Sequence, residues 1–412
     1  MSKIEDMKEY CLNCVNKPCQ KGCPLSNDIP GFINSITKEE AVSVLYKTTV
    51  LSSLCGRICP HTKQCQGKCT RNLTHGKPVS IGEVETILGD FALENDIPFP
   101  MDIDKRLTKK KVAVIGSGPS GLTCASFLAR KGIKVTLYEK REKLGGLLRY
   151  GIPEFRLPKT IVDKVVDKII KQGIEVKTNQ ELNKDFSIEE LAEKYDAVAI
   201  CIGANVHSKA HIINEDSPNV YGANEMLESG NYPDFKDKKV AVLGGGNVAM
   251  DAARTIIRKG AEEVNIIYRR SEAEMPAETE EIEAAKQDGV KFMLQNNIIS
   301  VLENKIQCIK TELVQKEGDS RLSPVNIEGS EYEIPMDIVV LATGSKTNKE
   351  ALEGIELTER GYIKIQENRQ TILTKSKRDN IFAAGDVAGD TATVAAAACG
   401  GREAANNIIK YL

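Results

Sequence analysis

The chain of 412 residues is long enough for two or three domains with cores of their own. Its formal net charge of −2 gives no broad electrostatic case for nucleic acid or membrane binding, and no apolar run reaches the length that crosses a bilayer. The N-terminus is polar and acidic from the start and is not a secretory signal, so we expect a cytoplasmic protein.

Cysteines concentrate near the N-terminus, where eight of the twelve fall between Cys11 and Cys69. In a reducing compartment such density predicts metal binding rather than disulfides. The spacing forms two quartets, Cys11-x2-Cys14-x4-Cys19-x3-Cys23-Pro24 and Cys55-x3-Cys59-Pro60-x4-Cys65-x3-Cys69.

The two quartets predict two metal centres in a small helical domain, residues 1–108, with only a thin apolar core of its own. Cysteine–proline pairs are typical of iron–sulfur proteins, whereas two zinc ions with four thiolates each are the alternative. Between the quartets, Thr37 and Glu40 form a capping box that predicts the start of a helix.

The segments CLNCVNKPCQKGCPLSNDIPGFI and CGRICPHTKQCQGKCTRNLTHGKPVSIGEVE resemble the glutamate synthase small-subunit family, and the resemblance covers essentially the whole chain. This family includes the NADPH/FAD/iron–sulfur half of dihydropyrimidine dehydrogenase and its bacterial electron-input subunit. The resemblance implies two [4Fe–4S] clusters whose ligands interleave the quartets. By position, the first cluster would be held by Cys11, Cys14, Cys19 and Cys69, and the second by Cys23, Cys59, Cys65 and Glu85.

Glu85 takes the position at which relatives carry a non-cysteine oxygen donor. Cys55 is then a spare buried thiol. The sequence alone does not distinguish Cys55 from Glu85 as the fourth ligand.

Lys111–Lys140 has the complete order of a dinucleotide-binding βαβ unit. An apolar strand, Val112–Ile115, ends in a glycine turn, and a helical pattern runs from Leu122 to Lys131. A second strand ends on Glu139, which is placed to accept hydrogen bonds from a ribose. The glycines permit a tight turn and close approach of a pyrophosphate to the helix N-terminus.

A pair of glycines, Gly145 and Gly146, follows this unit and suggests close backbone approach to a ligand. The family places this segment along the flavin. The predicted flavin contacts in this half are Gly116, Ser117, Gly118, Pro119, Ser120, Gly121, Glu139, Lys140, Gly146, Leu147 and Arg156.

Two similar buried strands, in Asp196–Ala204 and Asp337–Ser345, are typical of flavoproteins with a second nucleotide domain inserted into the first. Gly385 and Asp386 then precede a helix predicted to begin near Thr391. We expect Asp386 to accept a hydrogen bond from a ribityl hydroxyl, and the helix N-terminus to stabilise negative charge on the flavin. Thr393 and Val394 complete the predicted flavin contacts.

Lys239–Ser271 repeats the first βαβ unit. Tyr268 stands in the place of Glu139, and Arg269 and Arg270 follow, so the acid that binds a 2′-hydroxyl is replaced by guanidiniums suited to a 2′-phosphate. We therefore assign FAD to the first site and NADPH to the second, with NADH possible. The predicted NADPH contacts are Gly244, Gly246, Asn247, Val248, Ala249, Arg269, Arg270, Ala342 and Gly344.

Beyond this unit, Glu274–Glu278 predicts the start of a helix with Pro276 in its first turn. The predicted fold class is α/β. Two nested Rossmann-like domains bind FAD (109–231 and 333–412) and NADPH (232–332), preceded by the small all-α iron–sulfur domain.

Flavin converts the two-electron hydride of NADPH into single electrons for iron–sulfur clusters. The sequence therefore predicts an NADPH-dependent flavin and iron–sulfur oxidoreductase that passes electrons to a protein partner in a hetero-oligomer. By resemblance the partner is the glutamate synthase large subunit, with the dihydropyrimidine dehydrogenase catalytic subunit or ferredoxin as alternatives. No side chain is assigned as a catalytic acid or base.

Two functions of other kinds share features with this sequence. A thioredoxin reductase needs a Cys-x2-Cys near its flavin, and Cys124 and Cys201 are isolated in the sequence, so this function is set aside. A zinc-bearing nucleotide sensor without turnover remains the alternative of another class.

Overall fold

The computed structural model describes residues 3–315, 322–374, 378–390 and 392–412. The chain divides into two compact units. Unit 1 comprises Met1–Arg149, Glu154–Ala204 and Thr347–Leu412, and unit 2 comprises Tyr150–Pro153 and Asn205–Lys346.

The helices, in chain order, are α1 Lys3–Tyr10, α2 Pro18–Gly22, α3 Ile29–Asn34, α4 Lys38–Leu45, α5 Ser52–Ile58, α6 Thr70–His75, α7 Ile81–Glu94, α8 Pro119–Arg130, α9 Leu147–Tyr150, α10 Lys159–Ile170, α11 Ile188–Lys194, α12 Ala223–Ser229, α13 Asn247–Arg258, α14 Thr279–Gln287 and α15 Val394–Tyr411. Short 3₁₀ helices occur at Glu272–Glu274, Glu350–Leu352 and Asp386–Ala388. None of the helices in the described ranges is both long and apolar enough to cross a membrane.

The strands are β1 Lys111–Ile115, β2 Lys134–Tyr138, β3 Glu175–Lys177, β4 Ala197–Ile200, β5 Val206–His207, β6 Val220–Gly222, β7 Lys239–Leu243, β8 Glu263–Tyr268, β9 Lys291–Leu294, β10 Asn296–Leu302, β11 Lys305–Val314, β12 Ser323–Asn326, β13 Tyr332–Pro335, β14 Ile338–Leu341, β15 Ser345–Lys346 and β16 Ile381–Ala383.

Helices α1–α7 bury a set of large apolar side chains in the same compact unit as the first sheet, and the thin core of their own stays a prediction. The predicted capping box begins α4, with Glu40 N donating to Thr37 Oγ1 at 3.2 Å. Truncating one buried leucine in such a core costs about 2–5 kcal/mol. The fully buried side chains of this part include Leu25, Phe32, Ile33, Leu45, Leu51, Leu54, Ile81 and Leu88.

Unit 1 contains a five-stranded parallel sheet in the order β16-β4-β1-β2-β3. The central strand β1 is buried from Val112 to Ile115, as its unbroken apolar run predicts for a strand covered on both faces. Helix α8 begins at Pro119, before the predicted Leu122, because proline suits the first position of a helix.

The N-terminal helices pack onto this sheet unit rather than forming a separate body. Arg130 of α8 donates from Nη1 to the Tyr46 carbonyl at 2.6 Å, and its guanidinium stacks over the Phe99 ring at 4.9 Å. Lys168 of α10 donates from Nζ to the Ala92 carbonyl at 2.9 Å. These cations lie in the same compact unit as the carbonyls that they bind.

Unit 2 repeats the arrangement of unit 1. Its parallel sheet has the order β6-β14-β7-β8-β9, so β7 takes the central place that β1 has in the first sheet. Strand β11 pairs antiparallel with β10, β12 and β13. The two Rossmann-like sheets confirm the predicted duplication.

Unit 2 extends on both sides of the predicted 232–332, because β6 and β14 pair within its sheet and β5 pairs with β15. The helix predicted from Glu274 is wrong, since α14 begins at Thr279. Ala277 N donates to the Gly245 carbonyl at 3.0 Å, which holds this segment against the glycine turn instead.

Candidate functional site

The first glycine turn is shaped by contacts within unit 1. Gly116 has a φ of +97°, and a β-carbon there would lie 2.4 Å from the Cys201 carbonyl oxygen. A β-carbon on Gly121 would lie 1.8 Å from the Gly116 carbonyl oxygen, whereas one on Gly118 would meet no protein atom within 4 Å. The outer two glycines therefore serve the fold, and Gly118 faces open space in which a phosphate fits.

Glu139 is buried beside this turn. Its carboxylate accepts hydrogen bonds from Ser117 N at 3.1 Å, from Ser117 Oγ and from Arg141 N at 2.9 Å. Ser117 Oγ in turn accepts a hydrogen bond from Gly145 N at 3.0 Å. Glu139 thus holds the turn in place, and its bond to a ribose stays a prediction. Lys140, the next residue, is exposed.

The predicted second glycine pair also reaches the turn. A β-carbon on Gly146 would lie 2.7 Å from Gly118 Cα, so only glycine permits this approach. Leu147 begins α9, and Arg156 lies half-buried in the loop that follows. The contact of Arg156 with flavin stays a prediction.

The C-terminal motif meets the same turn from the other end of the chain. A β-carbon on Gly385 would lie 2.8 Å from Ser120 Oγ, which donates to the Ala384 carbonyl at 3.1 Å. Asp386 Oδ1 is buried without a hydrogen-bond partner in the described residues. An orphaned buried acceptor fits a ligand hydroxyl, as predicted for the ribityl chain of flavin.

Arg369 supports this motif and was missed by the sequence analysis, since it lies in no recognisable pattern. It is buried, has a φ of +63°, and its guanidinium bonds Asp390 Oδ1 at 3.0 Å and Glu403 Oε2 at 2.7 Å. Asp390 Oδ2 accepts from Gly385 N at 2.7 Å. The charged network therefore ties the Gly385 turn to α15.

Helix α15 begins at Val394, while Thr391, where it was predicted to start, lies outside the described residues. Thr393 caps the helix by accepting from Ala396 N at 3.3 Å. Thr393 Oγ1 also accepts from Gln64 Nε2 at 3.3 Å. Gln64 lies in the loop between Cys59 and Cys65, so the cysteine segment touches the flavin motif.

The glycine turn of unit 2 repeats that of unit 1. Gly244 has a φ of +147°, and a β-carbon there would lie 2.4 Å from the Ala342 carbonyl oxygen. A β-carbon on Gly246 would meet no protein atom within 4 Å, and Ala249 is fully buried. Gly344, at a φ of +112°, lies exposed past β14.

Helix α13 starts directly after this turn. Asn247 Oδ1 accepts from Glu278 N at 3.0 Å, while Val248 is exposed in the first turn of the helix. Of these two predicted NADPH contacts, Asn247 therefore makes a contact within the protein, whereas Val248 lies on the open surface.

Hydrogen bonds to their backbone carbonyls hold Arg269 and Arg270 in place. The Arg269 carbonyl accepts from Thr311 Oγ1 at 2.8 Å, and the Arg270 carbonyl accepts from Gln295 N at 3.1 Å. Arg269 is exposed, and the buried Nε of Arg270 has no hydrogen-bond partner in the described residues. A buried donor without a partner fits an anion such as a 2′-phosphate. Thr311 comes from a distant strand that the sequence analysis assigned no role.

The structure brings the first predicted cysteine set together. Cys11, Cys14, Cys19 and Cys69 line one small pocket. Burial raises the pKa of the Cys19 thiol to about 11 in the metal-free protein.

Within the described parts of the chain, no three His, Cys, Asp or Glu side chains are grouped to hold a single metal ion. A four-iron cluster holds its thiolates farther apart than one ion does, so four cysteines around a pocket fit such a cluster.

The second set also comes together. Cys65 is within electrostatic reach of Glu85, Cys23 and Cys59. Cys55 hydrogen-bonds with Cys59, and this bond together with burial holds the pKa of Cys55 well above its usual range. Both candidates for the fourth ligand therefore lie beside the three predicted cysteines.

Glu85 is 5% exposed on α7 and accepts from Asn27 Nδ2 at 3.2 Å. Asn27 is oriented by Thr48 Oγ1, which donates to its Oδ1 at 2.6 Å. Burial raises the pKa of Glu85 to about 8. A buried carboxylate is costly unless it meets positive charge, which iron would supply.

Polar side chains that the sequence analysis did not name surround the cysteine sulfurs. Such bonds tune the potential of a bound cluster. His61 and Thr70 follow predicted ligands closely in sequence and could have been found, whereas Asn34 could not. The contacts to sulfur are Asn34 Nδ2 to Cys11 at 3.7 Å, Thr70 Oγ1 to Cys14 at 3.3 Å and His61 Nδ1 to Cys65 at 3.4 Å.

Cys124 and Cys201, isolated in the sequence, are buried partners in the structure. The hydrogen bond with Cys124 lowers the pKa of the Cys201 thiol. They are isolated only in sequence, because the end of β4 and helix α8 bring them together behind the first glycine turn.

Comparison with known families matches both parts of the chain. Residues 110–401 match the family described as pyridine nucleotide-disulphide oxidoreductase. Residues 2–97 match the family described as dihydropyrimidine dehydrogenase domain II, 4Fe-4S cluster.

Individual relatives extend over almost the whole chain. The glutamate synthase [NADPH] small chain of Halomonas elongata is 35% identical, over 98% of this chain and 89% of that one. The protein of the same name from Escherichia coli K12 is 34% identical, over 98% and 90%. Mycobacterium tuberculosis FprA in complex with NADPH shares the fold, with a TM-score of 0.64 at 19% identity over 73% of this chain and 84% of that one.

The two candidates for the fourth ligand are separable by iron content. We expect Glu85→Ala to lose about half of the bound iron and acid-labile sulfide, because the second cluster loses its oxygen ligand. Cys55→Ala should retain both. Iron and sulfide assays on protein purified without oxygen measure this, and the reverse pattern would assign the ligand to Cys55.

Because Asp386 is buried without a hydrogen-bond partner, we expect the stability of the flavin-free protein to depend on pH. Burial, with the charge of Asp390, raises the pKa of Asp386 from 3.8 to about 7. A carboxyl group with a raised folded-state pKa stabilises the fold at low pH, and this contribution is lost as the pH rises from about 4 through 7.

We expect the melting temperature of the flavin-free wild type to fall by several degrees more between pH 5 and pH 8 than that of Asp386→Asn. Thermal melts monitored by circular dichroism measure the difference. Parallel slopes in the two proteins would contradict the burial argument.

Proposed function

Since the chain belongs to the pyridine nucleotide-disulphide oxidoreductases, in the family of the glutamate synthase small chains, we propose that it passes electrons from NADPH through FAD and iron–sulfur centres to a protein partner. Bound FAD would accept the hydride of NADPH as an electron pair and release single electrons to the clusters.

The observation that carries this proposal is the hydrogen bond from Gln64 Nε2 to Thr393 Oγ1 at 3.3 Å. It joins the loop between two predicted cluster ligands, Cys59 and Cys65, to the cap of α15 in the flavin motif. It supports an electron path in which the centre held by the second cysteine set comes directly after the flavin. A cluster held by the first set, around its own pocket, would then pass electrons to the partner.

The side chains of the flavin half bind and orient; none needs to transfer a proton. Gly118 leaves room for a pyrophosphate, and Glu139 holds the turn. Glu139 would accept a hydrogen bond from the ribose of bound FAD, and Asp386 one from a ribityl hydroxyl. The N-terminus of α15 lends partial positive charge to the flavin ring, which favours its reduction.

We propose two [4Fe–4S] clusters, held by the two cysteine sets with Glu85 as the eighth ligand. The pocket lined by Cys11, Cys14, Cys19 and Cys69 supports the first. The buried Glu85 beside Cys23, Cys59 and Cys65 supports the second. The twelve cysteines, all free thiols in the structure, also favour the cytoplasm as the compartment.

For the partner we propose a glutamate synthase large subunit, because the relatives named above are small chains of that enzyme. The catalytic subunit of a dihydropyrimidine dehydrogenase and ferredoxin are the further candidates. The match of residues 2–97 to a dihydropyrimidine dehydrogenase domain supports the first of these two candidates.

Anaerobic titration tests the electron path. Protein purified without oxygen should carry one FAD and about eight iron and eight sulfide atoms per chain, as two [4Fe–4S] clusters require. NADPH should bleach flavin and cluster absorbance together, because the centres share electrons. A yellow protein without iron or sulfide, or one that carries zinc, would refute the proposal.

The arginine pair should decide coenzyme preference. We expect Arg269→Ala/Arg270→Ala to raise the Kd of NADPH about tenfold or more, because two charge-assisted contacts to the 2′-phosphate are lost. The Kd of NADH should change less than about threefold.

Arg258→Ala is the matched control, since this arginine of the same unit pairs with Asp288 at 2.8 Å and has no predicted coenzyme role. It should leave both coenzymes unaffected. Fluorescence titration with each coenzyme measures the ratio, and equal weakening of the two would remove the arginines from 2′-phosphate recognition.

A further inference from the structure

The most exposed large apolar side chains of the described residues lie near the N-terminus. Val15 is 96% exposed, Ile36 85% and Leu73 73%. Val15 and Leu73 belong to the two segments that carry the first cysteine set. Exposed apolar residues next to a cofactor pocket suggest contact with another protein.

Val15 and Leu73 lie close in sequence to residues that line the first cysteine pocket. Leu12, 48% exposed, lies between Cys11 and Cys14 and lines the pocket, and Val15 follows Cys14 directly. Thr70 Oγ1 lies 3.3 Å from Cys14 Sγ. Leu73 is one turn further along α6 on the same side. We name Leu12, Val15 and Leu73 the apolar edge.

The two segments that carry the apolar edge are rich in cations, although the whole chain has a net charge of −2. The segments 11–23 and 61–77 contain no aspartate or glutamate. A β-carbon on Gly22 would lie 2.8 Å from Lys68 Cγ, so Lys68 lies against the segment that carries Lys21. Lys17 is paired with Asp28 at 2.7 Å, so its charge is balanced locally. We name the other cations of the two segments the basic rim: Lys21, Lys63, Lys68, Arg71 and Lys77.

We propose that the apolar edge and the basic rim form the docking surface for an electron-accepting protein whose acceptor group lies under an apolar patch ringed by carboxylates. This inference rests on the proposed function, in which the first cluster is the exit. An apolar centre lets the acceptor approach the half-exposed Cys11 and Cys14 closely. Opposite charge around it steers the encounter and sets the orientation.

A protein surface fits these observations better than a bilayer. The apolar edge offers three side chains beside a redox pocket, which suits the local contact of a small protein. A membrane-bound surface would instead need a longer apolar face on an amphipathic helix, and α6 has only six residues.

The test uses two heme proteins of opposite charge, the acidic soluble domain of cytochrome b5 and basic cytochrome c. Each NADPH reduces two ferric hemes by one electron each and yields NADP⁺ and one proton. The variants are Lys21→Glu/Lys68→Glu and Val15→Ser/Leu73→Ser, and the controls are the exposed Lys164→Glu and Ile213→Ser. Equal flavin and iron contents confirm that each variant folds.

We expect both edge variants to lower kcat/KM for the acidic cytochrome, and to raise its Kd measured by surface plasmon resonance, about tenfold or more at low salt. The controls should change neither value more than about twofold. The charge-reversed variant should gain activity toward cytochrome c.

The docking surface is refuted if edge and control variants behave alike. It is also refuted if the wild type prefers cytochrome c, or if it binds vesicles of equal phosphatidylglycerol and phosphatidylcholine through the apolar edge. Bleaching of the protein alone by NADPH tests the electron path separately. The Kd values decide the docking surface whether or not that bleaching occurs.

Discussion

The flavin half of the molecule depends on the close approach of α15 to the start of α8. A β-carbon on Gly401 would lie 2.0 Å from the Ser120 carbonyl oxygen, so the helices pack backbone against backbone. Ser120 also donates to the Ala384 carbonyl, 264 positions away. The two ends of the flavin fold thereby meet at one residue, and the orphaned Asp386 is placed beside the first glycine turn.

The same helix organises the cysteine segments. Arg402 of α15 donates from Nη1 to the carbonyls of Leu25 and Thr48, at 2.9 and 2.7 Å. Thr48 orients Asn27, which in turn holds Glu85. One element is therefore bonded to the flavin motif at its first turn and to the surroundings of the second cysteine set further along. The predicted flavin and second-cluster sites are therefore tied to the same helix.

The sequence predicted those parts of the site that depend on local geometry. The spacing of Gly116, Gly118 and Gly121 reflects one turn and one helix start. In the structure, side chains at Gly116 and Gly121 would clash with the backbone, whereas Gly118 faces open space. Partners drawn from distant segments were missed, because no short pattern encodes them; Arg369 and Thr311 are examples. The similar strands β4 and β14 predicted an inserted domain. The structure places β4 in the first sheet and β14 in the second. The residues of a strand do not specify its neighbours, so the sequence alone could not assign each strand to its sheet.

The short pairing of β5 with β15 joins the first and last residues of the long segment of unit 2, Asn205–Lys346. Because β5 and β15 hold the ends of this segment side by side, its length adds little to the entropy cost of closing the rest of the chain around it. Insertions or deletions between β5 and β15 can therefore leave the paired ends of this segment in place.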